Sequence, residues 1–306
     1  MKKEDYPLQD RLEMMMLPIS DRTLTWGEVL MLADNFNQPL IGEEEIAPFM
    51  SRTYPFKVMF TMIQLCTEGY MRFRYNLQEY VIRAGTAIII QPNSFGECLE
   101  VSQDFRVAYI TYKDDSCFGE KSSSFLTQFR NRLTRQTLIP LSPAEMEELL
   151  EVYRMMRKKM LEPYTDFTRE ALIGYLQVML ADCYQALSAV LELEVNEGIS
   201  RHQLLFDRFL HLLQQHYADE RSISFYAGKL CITPKYFSQV IYQASGRHAG
   251  EWIKDYVILE AKVLLKSGKY TIQQISDRLN FPNASFFGKY FKASVGCSPR
   301  SYQKGA

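Results

Sequence analysis

The chain has 306 residues, 47% hydrophobic and 23% charged, with a formal net charge of −1. That length suits two domains with real cores; no apolar run approaches the ~20 residues of a membrane span, and the opening MKKEDYPLQDRLEMMMLP lacks the apolar segment of a secretory signal, so a cytoplasmic protein without a membrane partner is expected. The near-neutral total hides two unlike parts: residues 201–306 hold 15 Lys or Arg against 7 Asp or Glu, a net of +8, which leaves 20 against 29, or −9, for residues 1–200.

A basic C-terminal third suits a polyanionic partner, with a solvated basic face as the plain alternative. The six cysteines, at 66, 98, 117, 183, 231 and 297, show no CxxC spacing. They read as reduced thiols in a cytoplasmic chain, with neither a disulfide framework nor a zinc site.

In chain order, residues 1–55 are the least legible and imply only mixed structure feeding a β domain. From 56 to 112 the pattern is that of strands: Phe56, Val58, Phe60 and Met62 alternate, as they would with one sheet face buried. Turn chemistry at Glu68-Gly69, Gln78-Glu79, Ala84-Gly85 and Pro92-Asn93 separates YMRFRY, EYVI, TAIII and DFRVAYITY. Short strands at this spacing predict an antiparallel sandwich or barrel.

The period becomes helical from 143 to 190. Ser142 as N-cap, Pro143 at the first helical position and Glu145 three residues after the cap form a capping-box signature. A second helix follows in DFTREALIGYLQVMLADCYQAL. Both helices are apolar around much of their circumference, which leaves two readings open: a dimerisation surface, or packing on the β domain alone. Residues 191–202, acidic and carrying Gly198 and Ser200, read as a linker.

The last hundred residues contain a duplication. Leu230 and Leu279 are 49 apart, whereas Phe237 and Phe287, Ile241 and Phe291, Gly246 and Gly296, and Trp252 and Tyr302 are each 50 apart. Two copies of one unit, with one turn a residue longer, would show that slip. The first copy reads as helix SISFYAGKL, a turn, then Thr233 capping a helix with Pro234 at its first position and Gly246 at its end. The second reads as helix TIQQISDRL, a turn plugged by Phe281, then Asn283 capping ASFFGKYFKASV. Phe287 and Phe291, at i and i+4, should pack with Ile275 and Leu279. Between the copies, Ile253, Val257, Ala261 and Leu264 mark a spacer helix roughly 25 to 30 Å long, comparable with the ~34 Å repeat of the DNA major groove. Two basic helix-turn-helix units on a rigid spacer point to double-stranded DNA.

Residues 203–304 resemble the DNA-binding domain of AraC-type transcription regulators. The second copy matches the family pattern through Ile272, Ile275, Leu279, Phe281, Ser285, Phe287, Phe291, Lys292, Gly296, Ser298, Pro299 and Tyr302; the first through Tyr226, Ala227, Leu230, Pro234, Tyr236, Ser238 and Gly246. Asn280 replaces the family's usual Gly, acceptable because Asn enters the left-handed region, and Ser276 replaces the usual Ala. Ala284 and Gly288 stand where longer polar side chains are common in the family, so direct base reading there would be thin. The β segment is similar, more loosely, to the cupin-like effector domains of this family.

The resemblance implies an α+β multidomain chain. A β-rich, cupin-like effector domain over 1–140 and a helical pair over 141–190, the candidate dimerisation element, come first. The linker at 191–202 and a double helix-turn-helix domain over 203–306 follow. Given that fold, Lys235, Ser238, Gln239, Ala284, Ser285, Phe286 and Lys289 are the residues expected at base edges, where Lys suits guanine, Gln suits adenine and an apolar edge suits a thymine methyl. Arg247, Lys292 and Arg300 are assigned to phosphates. The implied function is a sequence-specific regulator, not an enzyme and without cofactor, whose partners are double-stranded DNA, a small effector, a second copy in a homodimer and, if it activates, RNA polymerase. Two alternatives stand beside it: a regulator without ligand, controlled by abundance or a protein partner, and, remotely, an alkyl-transfer DNA repair protein using Cys66, Cys98 or Cys117. All four His, at 202, 211, 216 and 248, lie beyond residue 200, so the β segment has no His for a metal.

Overall fold

The computed structural model describes residues 11–12, 23–26, 29–37, 55–113, 129, 132–133, 136–165, 167–196 and 200–304. They divide into a β unit with two helices, within residues 12–52 and 58–198, and a helical unit of residues from 199 onward that also takes in Arg11 and 55–57. Most of 1–55, expected to be of mixed structure, and Cys117 lie outside the described residues.

The strands are β1 (Arg11–Leu12), β2 (Leu24–Trp26), β3 (Leu30–Asp34), β4 (Phe56–Val58), β5 (Thr61–Glu68), β6 (Tyr70–Tyr75), β7 (Gln78–Arg83), β8 (Thr86–Ile90), β9 (Phe95–Val101), β10 (Arg106–Tyr112) and β11 (Leu138–Pro140). They form a six-stranded sheet, β11-β8-β5-β10-β3-β2, and a five-stranded one, β1-β4-β9-β6-β7. In the first, Ile63 lies opposite Ile110 on one side and Ile89 on the other; in the second, Phe73 opposes Tyr80. Every described pairing is antiparallel.

The alternation read from 56 to 62 is corrected in one respect. Every residue from Thr61 to Cys66 is buried, because helices cover one face of the six-stranded sheet. Ile63 and Leu65 join the cluster under those helices, while Met62, Gln64 and Cys66 turn to the other, equally buried face. One predicted turn also moves: the reversal sits at Asn76-Leu77, both at positive φ, two residues before the expected Gln78-Glu79. Gly69 is required by space. At φ +67, a Cβ there would stand 2.5 Å from Ser102 Oγ and 2.7 Å from the Phe105 backbone.

The first helix, α1 (Pro143–Leu161), begins as the sequence predicts. Glu145 N–H donates to Ser142 Oγ (3.3 Å), and Ser142 N–H donates to the Glu145 carboxylate (2.7 Å). Met146, Leu149, Leu150, Tyr153 and Met156 form its buried stripe, and the Tyr153 hydroxyl donates to the buried Asp34 carboxylate of β3 (2.8 Å). The second helix, α2 (Thr168–Asn196), packs Leu172, Leu176, Met179, Leu180, Cys183 and Leu187 into the same cluster. It runs six residues into the stretch expected to be linker, since Leu191 is still a core residue (3% exposed) and continuing the helix satisfies its backbone. The next helix starts at Arg201, so the expected linker 191–202 is mostly helix.

The helical unit contains α3 (Arg201–His216), α4 (Ile223–Lys229), α5 (Pro234–Ser245), α6 (Ala249–Ser267), α7 (Ile272–Arg278), α8 (Ala284–Val295) and α9 (Pro299–Gln303). The spacer helix is α6, with Ile253, Val257, Ala261 and Leu264 at 0–2% exposure. Its Glu260 is buried as well, at 1%, and accepts from Lys57 Nζ (2.9 Å) and the Tyr217 hydroxyl (2.6 Å).

Candidate nucleic-acid interface

Helices α4 and α5 form one helix-turn-helix, α7 and α8 the other, and their lengths explain the slip in the repeat. Both first helices have seven residues and both second helices twelve, but the turn is 230–233 in the first copy and 279–283 in the second. The turns share a mechanism. Leu230 and Leu279 leave the helix near φ −90 and ψ 0–20, and Cys231 (φ 55) and Asn280 (φ 51) follow in the left-handed region. Asn280 thus adopts the conformation that its replacement of glycine implies. Ile232 N–H then donates to the Ala227 carbonyl (3.0 Å), and Phe281 N–H to the Ser276 carbonyl (2.9 Å).

The second helix of each unit is capped as expected. Thr233 Oγ1 accepts from Tyr236 N–H (3.3 Å) ahead of α5, and Asn283 Oδ1 accepts from Ser285 and Phe286 N–H (3.0 Å each) ahead of α8. Gly246 (φ 69) and Gly296 (φ 89) end them in the left-handed conformation. Phe237, Val240 and Ile241 anchor α5, and Phe287 and Phe291 anchor α8, alongside Ile275 and Leu279, all buried. Phe281 closes the second turn against Phe287 (5.4 Å) and Tyr290 (5.1 Å). The aromatic residues crowded near the C-terminal end are therefore mostly core, with Phe286, 58% exposed, the exception.

The polar candidates fall on the outer surface of these helices. Lys235 and Gln239 are exposed on α5, as are Ser285 and Lys289 on α8; Ser238, Ala284 and Gly288 are half-buried. Ser238 Oγ already donates to the Pro234 carbonyl (2.9 Å), leaving its lone pairs as its remaining hydrogen-bonding capacity. Lys292 and Arg300 are exposed. Arg247, by contrast, is committed within the chain: its guanidinium pairs with Asp255 and stacks over Trp252 at 4.6 Å.

Two features escape a sequence reading, the first because it joins distant residues. Arg221 Nη1 donates to the Asn280 carbonyl (3.0 Å), its guanidinium lies 4.0 Å from the Phe281 ring centre, and Asn280 Nδ2 donates to the Asp219 carbonyl (2.9 Å). The approach to the first copy thus holds the turn of the second. Burial lowers the Arg221 pKa, so this cation is held largely by its ring contact and one carbonyl. Tyr242, 49% exposed on α5, stacks on His248 at 4.8 Å. No local sequence signal marks either contact.

His216 packs edge-on to Phe225 (5.0 Å), and His211 exchanges a hydrogen bond with Gln215 (2.9 Å). Among the described residues, no three His, Cys, Asp or Glu side chains are placed to hold a metal. Burial pushes the Cys66 thiol up to about 12 and the Cys98 thiol up to about 11, the reverse of an activated nucleophile. No described helix is long and apolar enough to cross a membrane.

A family model described as "Helix-turn-helix domain" matches residues 226–305. Among curated proteins, the chain is 22% identical over 163 residues to the Escherichia coli "Uncharacterized HTH-type transcriptional regulator YpdC", covering 53% of this chain and 57% of that one. It is 28% identical over 94 residues to the E. coli "Arabinose operon regulatory protein", covering 30% and 32%. The matches to these relatives thus span from about a third to just over half of their length. Among solved structures, the fatty-acid-bound ToxT of Vibrio cholerae covers 90% of this chain and 95% of its own, at 13% identity and a TM-score of 0.42. With the two capped units, the one-residue turn slip and the matched span all falling on the same residues, the C-terminal part of this chain is built as a pair of helix-turn-helix units and is similar over that span to the regulators named above.

Proposed function

We propose that the protein is a sequence-specific transcription regulator whose two helix-turn-helix units read adjacent major-groove segments of one duplex. The observation that carries this is the pair of recognition helices, α5 and α8, each held from behind by buried aromatic and aliphatic side chains and each presenting exposed polar residues at its first two turns. Lys235, Ser238 and Gln239 from the first unit, and Ala284, Ser285, Phe286 and Lys289 from the second, face base edges. Lys292 and Arg300 hold phosphates. Arg247 reaches a phosphate by exchanging its Asp255 partner. The family match at 226–305 and the regulators among the relatives support this reading.

The β-rich part, 1–140, serves as the effector domain in this proposal, and the helical pair, 141–190, as the dimer contact. Gln64 supports the first role. It is fully buried, and its carbonyl oxygen has no partner among the described residues, which suits a small ligand with a hydrogen-bond donor. Met155 and Val178, apolar and 43% and 48% exposed on α1 and α2, support the second.

Selection of random duplexes with the full chain, at two salt concentrations, tests the proposal. Enrichment of two short blocks about 10 base pairs apart is the expected result. Salt-sensitive binding that enriches no sequence would refute it.

A further inference from the structure

Two residues of α8 are unexplained by the chain's own packing. Phe286 exposes 58% of its surface, while its aromatic neighbours Phe281, Phe287, Tyr290 and Phe291 all stack on other rings. Gly288 sits in the middle of the same helix, where glycine is destabilising relative to alanine. A Cβ there would meet nothing within 4 Å, so no neighbour in the structure demands its absence. The equivalent positions of the first unit, fifty residues earlier, carry Tyr236 and Ser238. On a helical wheel Phe286 and Gly288 lie on either side of Lys289, about 60° and about 100° away, and Lys292 follows on the next turn. An apolar ring and a bare stretch of backbone therefore flank a basic centre, a surface suited to an anionic partner that also offers an apolar group.

We infer that α8 reads thymine: the ring of Phe286 packs on a C5-methyl group in the major groove, and the missing side chain at Gly288 lets the helix settle close to the base edges. Thymine is the only base whose major-groove edge carries a methyl group. The inference rests on the proposed DNA reading and specifies what the second unit recognises.

The test uses the full chain and the duplex it enriches, with each thymine of the second block replaced in turn by deoxyuridine, which lacks only the methyl. Loss of one buried methyl should weaken wild-type binding about fourfold at one position, and Phe286→Ala should abolish that difference. Gly288→Ala should raise the thermal midpoint of the free protein yet weaken binding about tenfold, the size of one mismatched base pair. A flat deoxyuridine scan, an undiminished response in Phe286→Ala, or wild-type affinity in Gly288→Ala overturns the inference while the DNA reading stands. Failure to enrich any duplex overturns both.

Discussion

Lys57→Met should destabilise the helical unit severely. Lys57 is 6% exposed and Glu260 1%, and one carboxylate oxygen of Glu260 accepts from both Lys57 Nζ (2.9 Å) and the Tyr217 hydroxyl (2.6 Å). The other oxygen is buried without a partner among the described residues. Removing the cation leaves a buried carboxylate supported by one phenol, and breaking such a pair from one side costs about 3–5 kcal/mol. In a unit of this size each kcal/mol moves the thermal midpoint by about 4 °C or more, so a fall of at least ~12 °C is expected. Fluorescence of the buried Trp252, read in a Trp26→Phe background, confines the signal to this unit. Adding Glu260→Met to Lys57→Met should recover most of the loss, because an apolar pair of similar volume replaces a buried ion pair at little cost. A Lys57→Met protein that melts with the wild type, or a double variant no better than the single, would refute the reasoning.

Ser276→Ala should stabilise the protein by about 1 kcal/mol, since the buried Ser276 hydroxyl has no partner among the described residues and the first copy has Ala227 in its place; urea unfolding measures it. Exposed Cys231 should react with iodoacetamide at pH 8.5 while Cys66, its pKa raised by burial from 9.0 to about 12, stays unmodified. That raised pKa also fixes a sign: the native state keeps the Cys66 proton longer than the unfolded chain, so this contribution to stability is complete below about pH 9 and is lost as pH climbs toward 12, which pH-dependent unfolding will show. Lys292→Ala should weaken binding to all duplexes alike and lower the salt slope by about one unit, whereas Lys235→Ala should relax selectivity at one position, as binding titrations over several salt concentrations will reveal.

Much of the helical unit was legible because local and global demands agree there. Thr233, Asn283, Gly246 and Gly296 are residues whose side chains or φ values define helix ends, and each ends a helix where expected. Phe287 and Phe291 lie one turn apart and are both fully buried, as their spacing implies. The β unit was read less completely. Its short strands carry only a period of two, and that period vanishes where both faces are buried, as in β5. Strand β3 reads as an apolar run, LMLAD, that could equally be a piece of helix. Lys57, between Phe56 and Val58 in a strand pattern, looks like the solvent side of an alternation; its burial follows from Glu260, 203 residues away, which no local pattern reveals. Arg221 escaped for the same reason, since its contact lies 59 residues off.

The two copies also diverge in an ordered way. Positions that make the fold are alike: Leu230 and Leu279 leave the first helix, Phe237 and Phe287 fill the core, and Gly246 and Gly296 end the second helix. Outward positions differ in chemistry. Lys235 faces Ser285 across the repeat, Ser238 faces Gly288, and Gln239 faces Lys289. A lysine and a glutamine favour different base edges, so on the proposed reading the two units prefer unlike blocks. Two identical heads on one spacer helix would accept the two blocks in either order, whereas two unlike heads need them in one. The operator should accordingly be an ordered pair of dissimilar blocks, and exchanging the two blocks within a selected duplex should cost as much binding as scrambling one of them. Equal binding to the exchanged and native duplexes would mean that the outward differences between α5 and α8 carry no recognition.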